Sequence, residues 1–259
     1  MNWPLIDTHS HLYSKEFIAD FPEVLERSQK MLQKVLLPNI DPTSADRMHW
    51  LVDQHPGFFV PMMGIHPCSV TSAWTTQLEW VKQQLAQRND YCAIGEIGID
   101  LYWDKDLLKE QTAAFAAQVE LAKSKNLPIV IHARDSFEEI FQVLDELNSM
   151  DLRGVFHCFT GNLAQAEKVL NYGDFYLGVG GILTYKNSGL SEVFKNIALE
   201  HLILETDAPY LSPVPFRGKR NESSYLIHVA EKLAEILGLQ LQEVAEKTTA
   251  NAQTLFKLS

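Results

Sequence analysis

Six residues of metal-binding type are spread along the chain: His9, His11, Glu96, His132, His157 and Asp207. His9 and His11 form an HxH pair in IDTHSH; Glu96 lies in GEIGID, His132 in IHARD, His157 in HCFTG and Asp207 in ETDAP. Neutral imidazole and carboxylate are suitable ligands for Zn²⁺, Mn²⁺ and related divalent ions. A single histidine beside a strand is ordinarily a hydrogen-bonded structural residue, and an HxH pair alone is only suggestive. Six donors exceed the needs of one catalytic ion, which keeps about three protein ligands and an open position. They suit two ions about 3.5–4 Å apart that share a carboxylate. Such a pair polarises an ester oxygen, lowers the pKa of bound water and clamps the attacking and leaving oxygens. Asp207 has a second oxygen with which to take the proton of the attacking water.

These side chains can meet only if the elements carrying them converge. Short apolar or β-branched runs at residues 5–9, 35–40, 58–65, 92–97, 129–133, 155–159, 175–179 and 202–205 read as eight strands. Segments of helical period lie between them, for example 109–125 and 137–147, and Asp41-Pro42 and Asp135-Ser136 read as helix starts. The tail reads as two helices, 222–237 and 241–256, separated by Gly238. Eight strands with crossover helices give an α/β fold, a single (β/α)8 TIM barrel spanning 1–259. The rival, an open doubly wound sheet, would carry GxGxxG after its first strand, and that fingerprint is absent. In a barrel the strand C-termini form the active face, and the six donors all fall there. Residues i and i+2 of an extended chain point the same way, so His9 and His11 are expected to aim together into the mouth. The longest loop, 207–222, holds Pro209, Pro213, Pro215 and Gly218 and belongs over the same face.

The 259 residues are 46% apolar, enough for a sizeable core, which excludes disordered, collagenous and coiled-coil classes. A formal charge of −11 argues against nucleic-acid binding through a broad basic surface. An anionic substrate would have to be drawn by a local positive feature, which two divalent ions would supply. Cys68, Cys92 and Cys158 have no CxxC spacing, so no disulfide framework is expected. The N-terminus shows no basic region followed by an apolar run, and no apolar stretch reaches about 18 residues. A cytoplasmic protein with no membrane association is the expectation.

At these residues the chain resembles the TatD family of metal-dependent deoxyribonucleases, within the amidohydrolase superfamily. The matching segments are IDTHSH (6–11), GIHP (64–67), GEIGID (95–100), IHARD (131–135), HCFTG (157–161), ETDAPYL (205–211) and RGKRNE (217–222). They occur in family order over most of the chain, and GEIGID with ETDAP is the most specific combination. The resemblance implies a barrel of the metallo-dependent hydrolase type with two divalent metal ions as cofactors. His9, His11 and Asp207 would bind one, His132 and His157 the second, and Glu96 would bridge both where many superfamily members use a carboxylated lysine. That makes Glu96, with Asp207, a candidate catalytic carboxylate. It also implies nuclease activity on DNA ends, and in some members on RNA. The family often has proline after RGKRNE, whereas this chain has Ser223. Its loss is expected to loosen the start of the following helix without removing a ligand.

His66 in GIHP and Arg217 in the loop after the last strand are the candidate substrate-binding residues, both as phosphate donors. The plainer readings are a loop-anchoring histidine and a solvated basic turn with Lys219 and Arg220. Arg134 faces substrate or pairs with Asp135 or Glu138. Glu205 and Asp7 each precede a ligand-type residue by two positions and could orient a histidine. Alternation turns Cys158 toward the outer helices as a packed thiol. Tyr102 and Trp103 stack on a base or pack against their own barrel. The reading that follows is a phosphodiester hydrolase working through a two-metal-activated hydroxide, an exonuclease on single-stranded or frayed DNA ends or on a small phosphodiester. Its alternative is a metal-dependent amide or acyl-ester hydrolase, a deacylase; a third reading is a non-catalytic metal-binding protein. The cationic loop at 217–220 favours phosphate.

Overall fold

The computed structural model describes residues 4–103 and 105–258; residues 1–3, 104 and 259 of the expected 1–259 unit lie outside the described residues. Its strands are β1 (Leu5–Asp7), β2 (Leu32–Pro38), β3 (Phe59–Met62), β4 (Ile94–Asp100), β5 (Ile129–Arg134), β6 (Gly154–Phe156), β7 (Phe175–Val179) and β8 (Leu202–Leu204). Every pairing is parallel, β1 to β3 in one run and β4 to β8 in another. The runs meet at two seams. Between β3 and β4, Cys92 N–H donates to Pro61 O (3.0 Å) and Gly95 N–H to Met63 O (3.1 Å). Between β8 and β1, Thr8 N–H donates to Leu204 O (3.1 Å) and Asp207 N–H to His9 O (2.9 Å). A sheet joined at both seams is a closed (β/α)8 barrel, as the alternation of elements predicted.

The crossover helices are α1 (Phe21–Met31), α2 (Pro42–Gln54), α3 (Trp74–Gln87), α4 (Leu108–Lys125), α5 (Phe137–Leu147), α6 (Leu163–Leu170) and α7 (Leu190–Phe194); α8 (Leu226–Leu237) and α9 (Leu241–Phe256) follow β8. Asp41 caps α2 as expected, accepting from the N–H groups of Thr43 (2.8 Å) and Ser44 (3.0 Å). Ser136 does not cap α5 with its side chain. Its hydroxyl donates to Ile99 O (2.5 Å) and so ties the loop after β5 to β4. No helix among the described residues is long and apolar enough to cross a membrane.

Period-two alternation divides the strand residues into two sets. Leu5, Val35, Leu37, Ile129, Ile131 and Phe156 pack outward under the helices. Ile6, Leu36, Met62, Val130, Val155 and Ile203 form a separate cluster with Ala252, Leu255 and Phe256 of α9. Residues from so many strands can touch one another only in the lumen, so α9 seals the barrel at its N-terminal end. Asn251 fastens that seal by donating to Leu199 O and Leu202 O, both at 2.8 Å. The lumen is thus apolar below, and its polar residues lie above.

Several strands end earlier than expected, and His9, His11, His66 and His157 stand just past them. Strand β4 departs most informatively. Ile94 and Ile97 both belong to the outward set although they are three residues apart, and the register against β5 slips between them. Strict alternation would place Glu96 beside Ile94, under the helices. The extra residue turns it into the lumen. The parity of β1 is similar, since Ile6 faces inward; the chain leaves the strand after Asp7 and brings His9 and His11 inside.

Ser223 corrects an expectation. It is fully buried in a short 3₁₀ turn (Ser223–Tyr225) ahead of α8, and its hydroxyl donates to Ser10 Oγ (3.0 Å). A proline would have supplied only a fixed φ; the serine ties the helix start to the β1 loop. Beside it, the Glu222 carboxylate accepts from Arg27 Nε (2.8 Å) and Nη2 (2.7 Å). Burial opposes the Glu222 charge, but the hydrogen bonds from Arg27 and Ser224, with the charges of Arg27 and Arg220, together outweigh it and lower the pKa. A depressed carboxylate pKa contributes stability above the unfolded-state pKa, and this is lost as pH falls through the folded-state value. Glu222→Gln should therefore cost about 1–2 kcal/mol near neutral pH, with half-exposed Arg27 limiting the effect. Urea unfolding should show the gap to wild type closing as pH falls to about 3. A gap independent of pH would mean that the clasp is not electrostatic.

Candidate active site

At the mouth of the barrel one buried carboxylate is surrounded by imidazoles. Glu96 Oε1 lies 2.8 Å from His132 Nδ1, 3.3 Å from His66 Nε2 and 3.6 Å from His157 Nε2. Glu96 Oε2 lies 3.1 Å from His9 Nε2 and 3.7 Å from His11 Nε2. Asp207 Oδ1 stands 3.4 Å from His11 Nε2 and 3.9 Å from both His9 Nε2 and His157 Nε2. All six predicted ligand residues meet, and His66 joins them.

What the far side of each ring touches decides what the near side can do. Tyr13 O–H donates to Pro38 O (2.5 Å), so its oxygen accepts from His11 Nδ1–H (2.7 Å). His11 Nε2 is then left with a lone pair facing Glu96 and Asp207. His132 Nε2 is held by Asp100 Oδ2 (2.9 Å), leaving Nδ1 on the Glu96 side. His157 Nδ1 lies 3.0 Å from Glu205 Oε1, with Nε2 inward. Gly178 makes room for that arrangement, because a Cβ there would lie 2.6 Å from the Glu205 carboxylate oxygens. His66 is the reverse case. Its Nδ1 accepts from Cys68 N–H (3.1 Å), so in the neutral ring Nε2 carries the proton and faces inward as a donor.

The electrostatics follow from crowding. Burial opposes ionisation of Glu96, but the histidines around it, His66 foremost, hold its pKa well below the usual carboxylate range. Burial also opposes charge on His132 and His157. Hydrogen bonds to Asp100 and Glu96 nonetheless raise His132 to about 9, and the charges of Glu205 and Glu96 raise His157 to about 10. His9 is pushed down, by burial first and then by His157, on which it stacks with centroids 3.5 Å apart.

The donor set fits divalent ions. Among the described residues, the donor atoms of His9, His11 and Glu96 lie within 4.8 Å of one another, as do those of His66, Glu96 and His132 and those of His9, His157 and Glu205. Two of these groups share Glu96. Buried His9 Nδ1 and His157 Nδ1 have no hydrogen-bond partner among the described residues; His157 Nδ1 faces Glu205 Oε1 at 3.0 Å as an ion pair, so the outward hydrogen bonds are those of His11 and His132. Inward lone pairs fixed by outward hydrogen bonds are the arrangement that metal-binding histidines require.

Other expected residues fall differently. Arg217 is exposed, its guanidinium 4.4 Å over the Tyr185 ring and outside the cluster. Arg220 is structural, bound to Asp20 by bonds of 2.7 and 2.6 Å. Asp7 holds no ring; its carboxylate accepts from Thr206 N–H (2.9 Å) and Thr206 O–H (2.6 Å). Cys158 does not turn toward the helices. Its φ of +43° breaks the alternation, its N–H donates to Glu205, and burial together with the charges of Glu205 and Asp207 raises its thiol pKa. Asp207 also has a left-handed φ, +58°, a backbone conformation that costs about 1–3 kcal/mol off glycine and concentrates at functional sites. Tyr13 and Asp100 were missed. Each repeats the i+2 or i+4 spacing from a ligand-type residue, His11 and Glu96, which was the available signal.

Residues 6–257 match the TatD related DNase family. The chain is 37% identical over 257 residues to YabD of Bacillus subtilis, an uncharacterised metal-dependent hydrolase, covering 98% of this chain and 100% of YabD. It is 30% identical over 262 residues to the 3'-5' ssDNA/RNA exonuclease TatD of Pantoea vagans, covering 98% and 100%. The crystal structure of YJJV, a TatD homologue from Escherichia coli, matches with a TM-score of 0.91 and 30% identity over 98% of each chain. Barrel, donor cluster and relatives together define a metal-dependent hydrolase. The chain belongs to the TatD related DNase family.

Asp100→Asn should weaken divalent-metal binding about 10- to 100-fold, because the ring of His132 loses its anionic partner. Calorimetric titration of the variant with Zn²⁺ or Mn²⁺ checks this, and wild-type affinity would remove Asp100 from any positioning role.

Proposed function

We propose that this protein hydrolyses phosphodiester bonds at single-stranded or frayed DNA ends, with two divalent ions held by His9, His11, Glu96, His132, His157 and Asp207. The observation that carries this reading is the contrast between the rings. His11, His132 and His157 turn their outer nitrogens to Tyr13, Asp100 and Glu205 and leave the other nitrogen of each ring for an ion, which would displace any proton there, whereas His66 accepts at its outer nitrogen and turns an N–H inward. A donor is of no use to a metal and suits an anionic oxygen. Bound ions would supply a nucleophile from water and neutralise charge on the phosphodiester oxygens.

The remaining work falls to the chain. Glu96, common to two of the three donor groups, holds the centre. Asp207 is 13% exposed at its side chain and borders the space where water enters, so it accepts the proton released on attack. His66 Nε2–H binds a non-bridging phosphate oxygen. Arg217, exposed and seated over the Tyr185 ring, is the outer phosphate contact. The Pantoea vagans relative, named as an exonuclease on single-stranded DNA and RNA, supports this substrate class. Cleavage of an amide or acyl ester would leave these cationic donors at the mouth without a partner.

The test is hydrolysis of end-labelled single-stranded DNA with Mg²⁺ or Mn²⁺, beside a panel of acyl esters and N-acyl amino acids. DNA should be cleaved, and Glu96→Ala should abolish cleavage. His66→Ala should lower kcat/KM about 10- to 100-fold while calorimetry shows unchanged metal binding. Turnover confined to the acyl panel would replace the nuclease reading with the deacylase one. Loss of metal binding in His66→Ala would make that residue a ligand.

A further inference from the structure

Large apolar side chains left in solvent are concentrated at one end of the barrel. Ile18, Tyr102, Trp103, Tyr210 and Val214 are all exposed, and all stand in loops that follow strands on the Glu96 side. Tyr102 and Trp103 form the most developed feature. Their rings meet edge to face, with centroids 5.0 Å apart and planes at 88°. The Arg134 guanidinium lies 3.8 Å over the Tyr102 ring and 5.6 Å from that of Trp103. Trp103 is 69% exposed, so its indole adds little to the core.

The backbone beneath is nonetheless held firmly. Asp100 Oδ1 accepts from the N–H groups of Tyr102 and Trp103, both at 2.9 Å. Leu101 N–H donates to Arg134 O (2.9 Å), and Arg134 N–H donates to Ser136 Oγ (3.1 Å). The other Asp100 oxygen holds His132 at 2.9 Å. One carboxylate therefore anchors an inward-facing imidazole with one oxygen and the aromatic pair with the other. The aromatic shelf is registered to the reacting centre.

Every nucleobase offers a π face, and stacking on a solvent-exposed aromatic is how sequence-tolerant binders grip single strands. Arg134 sits over the Tyr102 ring and leaves guanidinium N–H groups for a phosphate; no ion pair to a carboxylate is seen for it among the described residues. We infer that Tyr102, Trp103 and Arg134 form a nucleotide subsite, with the base of a substrate nucleotide on the open face of Trp103 and an adjoining phosphate against Arg134. This rests on the nuclease reading above and adds where the base is held.

The test separates base from backbone. A fluorescent, hydrolysis-resistant phosphorothioate oligothymidine and an abasic strand of the same length are titrated by anisotropy against wild type, Trp103→Ala and Trp103→Phe. Trp103→Ala should weaken the base-bearing strand about 5- to 100-fold and leave the abasic strand unchanged; Trp103→Phe should keep most of the affinity. Equal losses on both strands, or none on either, would overturn the subsite. Ordinary oligothymidine is digested in parallel. If wild type cleaves it while Trp103→Ala binds both strands like wild type, the subsite falls and the nuclease reading stands. If wild type neither binds nor cleaves, both fall.

Discussion

The mouth of this barrel is organised around the charge of Glu96. A carboxylate buried this deeply is tolerated only when its desolvation is offset by close partners. Five imidazoles provide them, at 2.8 to 3.7 Å. Imidazoles crowded together in turn need their far nitrogens anchored, which explains Tyr13, Asp100 and Glu205 behind them. Each anchor is fixed further out: Tyr13 on Pro38 O, Asp100 on the backbone of Tyr102 and Trp103, Glu205 on Cys158 N–H. The polar order extends outward in layers from one side chain, and the slip in β4 that turns Glu96 inward is its starting point.

The same economy governs the positive charges. The chain is acidic, and several of its arginines near the mouth serve the fold: Arg220 binds Asp20, and Arg27 binds Glu222. Arg134 and Arg217 instead lie on aromatic rings, which hold a guanidinium in place without neutralising it. A negative surface opposes indiscriminate coating by polyanions, and the few uncancelled cations lie around the donor cluster.

Much of this was legible in the amino-acid order. Eight runs of strand character and the intervening helices were enough for the barrel, and helices 137–147 and 241–256 coincide with α5 and α9. The six ligand-type residues were legible because each lies in a distinctive segment. Direction was harder to read. His9 and His11 do aim together into the mouth as expected, but strict alternation counted from Ile6 and Ile94 would turn His9 and Glu96 to the helices, because neither the bulge in β4 nor the early end of β1 leaves a mark in residue type. Cys158 was misplaced for a related reason, a left-handed backbone at a non-glycine residue. Ser223 was read as a missing proline when its hydroxyl had a buried partner 213 positions away. Contacts of that range have no local signature. The cation–π seat of Arg134 likewise depends on β4 and β5 ending side by side.

The seal made by α9 has a consequence for timing. Every strand precedes α9 in the chain, yet Asn251 fastens the base of β8 and Thr249 bonds to Pro4 O beside β1. The lumen therefore stays open to water until this helix has been made and has docked. His9 and His11 lie on one side of the β8–β1 seam and Asp207 on the other. The two sides of the mouth therefore come together only when that seam closes.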